Sequence, residues 1–425
     1  MKAHTFTGDR KQVFLFEPDR FLQRYYFPTI ALLVLFTSVH YLRVAYLQAM
    51  DWSGWSIGEW LINLEAGWVR RGLGGQIVLL LSDATSIPMN WMALVIQVLS
   101  YLVFVGLFLT ILRKKAITFW YFVACFAPGF LLFTYYDSMA VGRKEVLLYL
   151  AFAVWLWICL YVRQATVITF CFSLVCLVLT LIHETFFFYT PYFVIVGLLS
   201  NNARMNSRWQ AWLIPSFSFL GALITVFLFE PINGAVVCNS LLARGAAEVV
   251  CSGIITFGAP NASILLGQYI SHFDKTTWFA VFQVFAVIII SGGIVLRGLI
   301  LPGRSNLPYA FGLLLLVFFS APLFMLATDW GRWISMHVTL LTCAGVMLLK
   351  ERENPKSLLN HTANYASTPR PCFKTYLIAM ALFALVNMTY SLQHCCDKTI
   401  IVLFGPFKKI ENTRLFSVVS DVSQQ

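Results

Sequence analysis

Residues 91–112 read WMALVIQVLSYLVFVGLFLTIL, twenty-two positions with no charged side chain. About 20 apolar residues in a helix match the hydrocarbon thickness of a bilayer. A backbone in hydrocarbon must also satisfy its own hydrogen bonds, which leaves only helices and closed barrels. The run is continuous and does not alternate, so it fits a helix and not a barrel strand. Similar runs recur along the chain. We read eleven spans, centred near Leu35, Leu102, Ala127, Ala153, Val175, Val196, Ala222, Ile288, Leu316, Leu341 and Phe383, with those at 146–162 and 185–200 short. The expected fold is all-α: a polytopic transmembrane helical bundle of about 11 spans, forming one integral-membrane domain over 1–425. Composition agrees. Hydrophobic residues make up 59% and charged residues 12%, against roughly 45–50% and 25% in soluble domains.

Orientation follows from charge. With the N-terminus in the cytoplasm, the segments 1–24, 113–117, 163–164, 201–210, 297–307 and 350–374 lie inside. They hold 18 of the 30 Lys and Arg but 5 of the 19 Asp and Glu. That is the positive-inside pattern. It accounts for the net charge of +11 without a nucleic-acid partner. No cleavable signal peptide is apparent in the first 24 residues, so the first span is expected to act as an uncleaved anchor. A bacterial inner membrane, with the long loops facing the periplasm, is the expected location.

Two long outer loops are expected, at 47–87 and 230–277, with a cytoplasmic linker at 351–373 and a tail at 393–425. In the first loop Trp52, Trp55, Trp60, Leu64 and Trp68 recur at near-helical spacing, which predicts an amphipathic helix lying in the interface. In the second loop twelve residues separate Cys238 from Cys251. A disulfide between them suits an oxidising compartment; two free thiols are the alternative.

Four islands of charge break the oily chain: EAGWVRRGLGG (65–75), DSMAVGRKE (137–145), HE (183–184) and DWGRW (329–333). All are expected at outer span ends, where ionisable groups are costly and point to function. In the first, Glu65 is a candidate base, with Asp51 and, more weakly, Glu59 as alternatives. Arg70 and Arg71 offer paired donors to a phosphate. Gly72, Gly74 and Gly75 permit close backbone approach, and free amides there would add anion contacts. In the second, Asp137 and Glu145 suit the positive end of a helix, whereas Arg143 and Lys144 do not. An anionic ligand explains that departure; so does a salt-bridge network with Glu65 or Asp329. His183 is a candidate proton carrier or phosphate donor beside Glu184, and Asp329 with Arg332 completes the set. Snorkelling arginines, helix-start charge and aromatic belt anchors are the ordinary explanations.

The single histidines have no metal-ligand companions, the cysteines lack metal spacing, and no Walker loop or dinucleotide fingerprint is present. No metal and no cofactor are expected. Carboxylates, basic side chains and a His at the outer boundary suit a lipid-linked sugar phosphate. Transfer needs a base for the acceptor hydroxyl and cations for the departing phosphate.

With Glu65 beyond a helix in the first outer loop, the layout resembles GT-C-type membrane glycosyltransferases and bacterial O-antigen or capsule polymerases. The resemblance is one of architecture across most spans. Asp51 alone stands where that family carries an Asp/Glu pair after the first span. It implies bacterial polysaccharide assembly, with a polyprenyl-phosphate- or diphosphate-linked sugar donor and a glycan acceptor as partners. Two other classes stay open: a transporter or flippase for an anionic lipid-linked substrate, and a membrane acyltransferase with His183 as base.

Overall fold

The computed structural model describes residues 18–127, 129–162, 165–200, 208–257, 319–326, 330–349 and 351. The expected spans near Ile288, Leu316 and Phe383, the tail at 393–425 and Asp329 lie outside these residues. Among the described residues the chain is all-α, with no strand beyond two isolated bridges.

Among the described residues three stretches are long and apolar enough to cross a membrane: Tyr25–Met50, Met89–Arg113 and Gln210–Leu228. They belong to helices α1 (Pro18–Met50), α4 (Met89–Arg113) and α10 (Leu213–Leu228). Between α1 and α4 lie α2 (Ile57–Leu61) and α3 (Gly72–Thr85). After α4 come α5 (Phe119–Cys125), α6 (Phe133–Tyr136), α7 (Glu145–Tyr161), α8 (Ala165–Ile182) and α9 (Thr190–Leu199). A disulfide-bonded segment follows α10 and contains α11 (Gly234–Ala243) and α12 (Ile254–Phe257). Further helices α13 (Ala321–Leu326) and α14 (Trp330–Gly345) complete the described set.

Helix α4 shows how such a sequence divides its faces. Gln97, Tyr101, Phe104 and Phe108 form one buried stripe, while Leu99, Leu102 and Val103 are exposed on the other side. Exposed aliphatics on a continuous helical face fit a lipid neighbour. The buried stripe packs between α1 and α7: the Tyr41 and Tyr101 rings stack at 4.0 Å. Hydroxyls buried in apolar helices turn back to their own carbonyls, as Ser173 does to Thr169 and Thr180 to Cys176.

Two sequence expectations need correction. The span centred on Ala127 is broken: α5 ends at Cys125, and the chain passes through turns before α6. Pro128-Gly129 stands at the break, and Pro has no amide to continue a helix. Gly129 lies against Val338 of α14, where an added Cβ would come within 2.9 Å; its carbonyl accepts from Ser335 Oγ. The interfacial helix is also absent. Instead, the five-residue α2 is buried throughout. Trp60 is in the core and only Trp68 is largely exposed. Gly54 meets the backbone of Gly253 so closely that a Cβ there would lie 2.6 Å from its nitrogen. The segment closed by Cys238 and Cys251 thus clamps α2 down into the protein.

Candidate functional site

Five chain segments meet where α2, α3, α7, the 3₁₀ turn at Glu184–Tyr189 and α14 converge. Glu59 of α2 lies at the centre, 0% exposed. Its Oε2 is 3.0 Å from Arg143 Nε. Its Oε1 is 3.2 Å from His183 Nε2 and 3.6 Å from Arg71 Nη1. Arg71 turns its other edge to Glu184, with Nη2 at 2.7 Å and Nε at 3.1 Å. Glu145 Oε1 stands 3.3 Å from Arg332 Nε and 3.9 Å from His183 Nε2.

Local backbone explains this placement. Arg71 caps α3 in a left-handed conformation, φ 65°. That turn sends its side chain to Glu184 and its carbonyl to Lys144 Nζ, 3.1 Å away. Gly142, at φ +74°, turns the chain into Arg143; its carbonyl accepts from Trp60 Nε1 at 2.7 Å. Arg143 Nη1 donates to the Trp55 carbonyl. His183 caps the 3₁₀ turn, its Nδ1 accepting from the Thr185 amide. The Nδ1 acceptor role leaves the ring proton on Nε2, facing Glu59.

The electrostatics lean towards anions. Among the described residues Arg71, Arg143, Lys144 and Arg332 face three carboxylates, Glu59, Glu145 and Glu184. The N-terminal ends of α3, α7 and the 3₁₀ turn point here, as does the start of the described part of α14. Helix N-termini add further positive potential. Burial alone would raise Glu59, but Arg143 and His183 outweigh it and hold the carboxyl well below its usual range. Burial likewise opposes ionisation of Glu184, and the Arg71 pair brings it down to about 2. Burial pushes Lys144 down to about 8 against the pull of Glu59. Among the described residues no three His, Cys, Asp or Glu side chains are grouped to hold a metal ion.

Of the residues singled out from sequence, Arg71, Arg143, Lys144, Glu145, His183, Glu184 and Arg332 come together around Glu59, the weaker of the acid candidates, whereas Glu65, Arg70, Asp51 and Asp137 stay apart. Glu65 lies at the surface, paired with Arg244, which also binds Asp83. Arg70 is exposed, and only its amide is engaged, by the Glu230 carbonyl. Asp51 is exposed at the end of α1. Asp137 caps a 3₁₀ turn by accepting from the Met139 amide. Gly75 does approach backbone closely, but the backbone is the protein's own, while Gly72 and Gly74 lie nearest to side chains of Leu64 and of Ile182 and Lys144. A Cβ on Gly75 would lie 1.9 Å from the Ile62 carbonyl oxygen.

Glu59 and Glu145 were undervalued from sequence. One signal was available for Glu59: it is the single acid within the apolar stretch IGEWLINL. Cys238 and Cys251 are bonded to each other. No family model, curated protein or solved structure matches this chain.

Proposed function

We propose that this chain is a multi-pass protein of a bacterial inner membrane, with its N-terminus in the cytoplasm and the charge cluster facing outward. In this reading it transfers or polymerises sugars from a polyprenyl-phosphate- or diphosphate-linked donor during surface glycan assembly. The observation that carries the reading is the convergence of four basic side chains and several helix N-termini on one point. Such an arrangement is suited to an anion. Positive charge at a helix N-terminus is unfavourable unless something negative compensates it. Among the described residues three carboxylates face these four cations, and a phosphate at the membrane boundary would add further compensation.

Arg71 is the most accessible cation of the cluster, with 18% of its side chain exposed, and is assigned first contact with phosphate. Arg143, Lys144 and Arg332 supply the field behind it. Glu59 orders the cations and does not serve as base, because a carboxylate held at low pKa has little affinity for a proton. Both ring nitrogens of His183 face protein groups, Nδ1 the Thr185 amide and Nε2 the Glu59 carboxylate.

A second reading, a flippase for the same lipid class, is favoured by a cavity that runs from the cluster between α1, α4, α7 and α14. Purified full chain in detergent, given a polyprenyl-phosphate-linked hexose and methyl glucoside, separates the two. Glycoside product that disappears with Arg71→Ala at equal protein level supports the enzyme. Binding of the donor without product supports the flippase. Donor binding unaffected by Arg71→Ala would sink both.

A further inference from the structure

The cavity beside the cluster has about 50 Å³ of room for the centres of water-sized molecules. A water needs roughly 10–15 Å³ on that measure, so the space suits three or four small atoms' worth of ligand. A hydroxymethyl group fits; a whole sugar ring does not. One end is polar, formed by Arg143, Glu145 and Arg332. The walls are aromatic and hydroxylated, with Tyr41, Tyr101 and Tyr149 among them. Thr339 lies seven residues beyond Arg332 on α14, which at 1.5 Å per residue places it about 10 Å from Arg332 along the helix.

Glu145 differs from the other two carboxylates of the cluster. Glu59 and Glu184 are each held by close cationic partners. Glu145 is 3% exposed and, unlike them, lines the cavity; its oxygens, like those of Glu59, make no hydrogen bond among the described residues. Oε1 has Arg332 Nε at 3.3 Å as an ion pair; Oε2 has no such neighbour. A buried carboxylate oxygen without a donor is costly, and the Glu145 residue is part of the cavity lining. A phosphoryl group would be repelled by it. An alcohol would supply the missing hydrogen bond.

We propose that this cavity is the acceptor pocket and that Glu145 is the base that activates the acceptor hydroxyl; the catalytic part of this inference rests on the transferase reading above. The acceptor O–H gives its proton to Glu145 Oε2. The oxygen lone pair forms a bond to the anomeric carbon of the donor. The bond from that carbon to the phosphate oxygen breaks, its electron pair stays on phosphate, and polyprenyl phosphate leaves. The proton on Glu145 then passes to water.

The test uses full-length protein in detergent, with a polyprenyl-phosphate-linked hexose as donor and methyl glucoside as acceptor. Glu145→Gln is expected to slow transfer at least about 100-fold while donor affinity stays within about twofold. Glu145→Asp should recover part of the rate. Wild-type transfer by Glu145→Gln, or donor binding lost in step with the rate, would overturn the base assignment. An independent measurement follows the carboxylate infrared band when methyl glucoside is added without donor, as wild type minus Glu145→Gln. A band shift is expected. A shift without turnover in any variant keeps the pocket and removes the transferase reading. Turnover in wild type without a shift removes the pocket.

Discussion

Among the described residues two groups bring arginine to acid, and they differ in almost everything but composition. The trio of Glu65, Asp83 and Arg244 sits at the surface with each side chain about a third exposed or more. The cluster around Glu59 draws on five segments and buries Glu59, Lys144 and His183 completely. Exposed pairs contribute little because water and salt screen them. Buried pairs cost desolvation and survive only as a complete set. Retaining such a set where several helix ends meet is reasonable if the charge is used.

The sharpest test of the contrast is truncation. Arg143→Ala leaves the carboxylate of Glu59 without its closest cation inside the protein, and a loss of about 3–5 kcal/mol is expected. Thermal unfolding of the full chain in detergent reads it. A loss below about 1 kcal/mol would mean that the cluster is as well solvated as the surface trio.

Close packing supplies the next largest effect. Gly75→Ala would drive a methyl into the Ile62 carbonyl and shift α3 against α2, at about 1–3 kcal/mol. Gly106 on the exposed side of α4 has no atom within 4 Å of the same position. Gly106→Ala is expected to be neutral or stabilising by up to about 1 kcal/mol. Equal effects at the two sites would contradict the tight seating of α3.

These contrasts also show what was legible in the sequence. The apolar runs at 89–113 and 145–161 became α4 and α7 because nothing in them competes with helix. Four islands converged, since ionisable groups at span ends have few places to be compensated. Local reading failed where tertiary partners decide. The Trp spacing at 52–68 suggested one helix, but Gly253 seats against Gly54 and folds the segment into a short buried turn of helix. Glu65 stood in the richer local motif, yet Glu59 took the centre. Its partners, Arg143 and His183, are far away in sequence and invisible to a local pattern.

Acidity separates the two groups more finely. The folded-state pKa of Glu184 is lowered to about 2, so its stabilising pair is fully present above the ordinary carboxylate range near 4.3. That contribution is lost as pH falls through that range towards 2. Glu184→Gln should flatten this acid limb in a pH series of unfolding midpoints. Lys144 has the opposite sign. Its folded pKa lies near 8 against about 10.4 unfolded, so the unfolded state binds more protons between those values and stability from this group rises with pH. The positive charge itself fades above pH 8, so if the proposed donor binds at the cluster its affinity should weaken there. Lys144→Met should remove that alkaline step; an unchanged step would assign it to another group.

The smallest effect belongs to the surface trio and is informative for that reason. Arg244→Ala is expected to cost about 0.2–1 kcal/mol, shrinking as salt is added because the pair is screened over about 10 Å at 0.1 M. Glu65→Gln should leave both stability and glycan output close to wild type, since its carboxylate neither reaches the cluster nor lines the cavity. The two variants are compared by unfolding midpoints at low and high salt and by surface glycan profiles in a complemented deletion strain. Loss of glycan with Glu65→Gln at normal protein level would move the chemistry out to the first loop, where the motif alone had suggested it, and would leave the buried cluster as a scaffold. Normal glycan with Glu65→Gln, set beside loss with Arg71→Ala, would place the working charges where five segments meet.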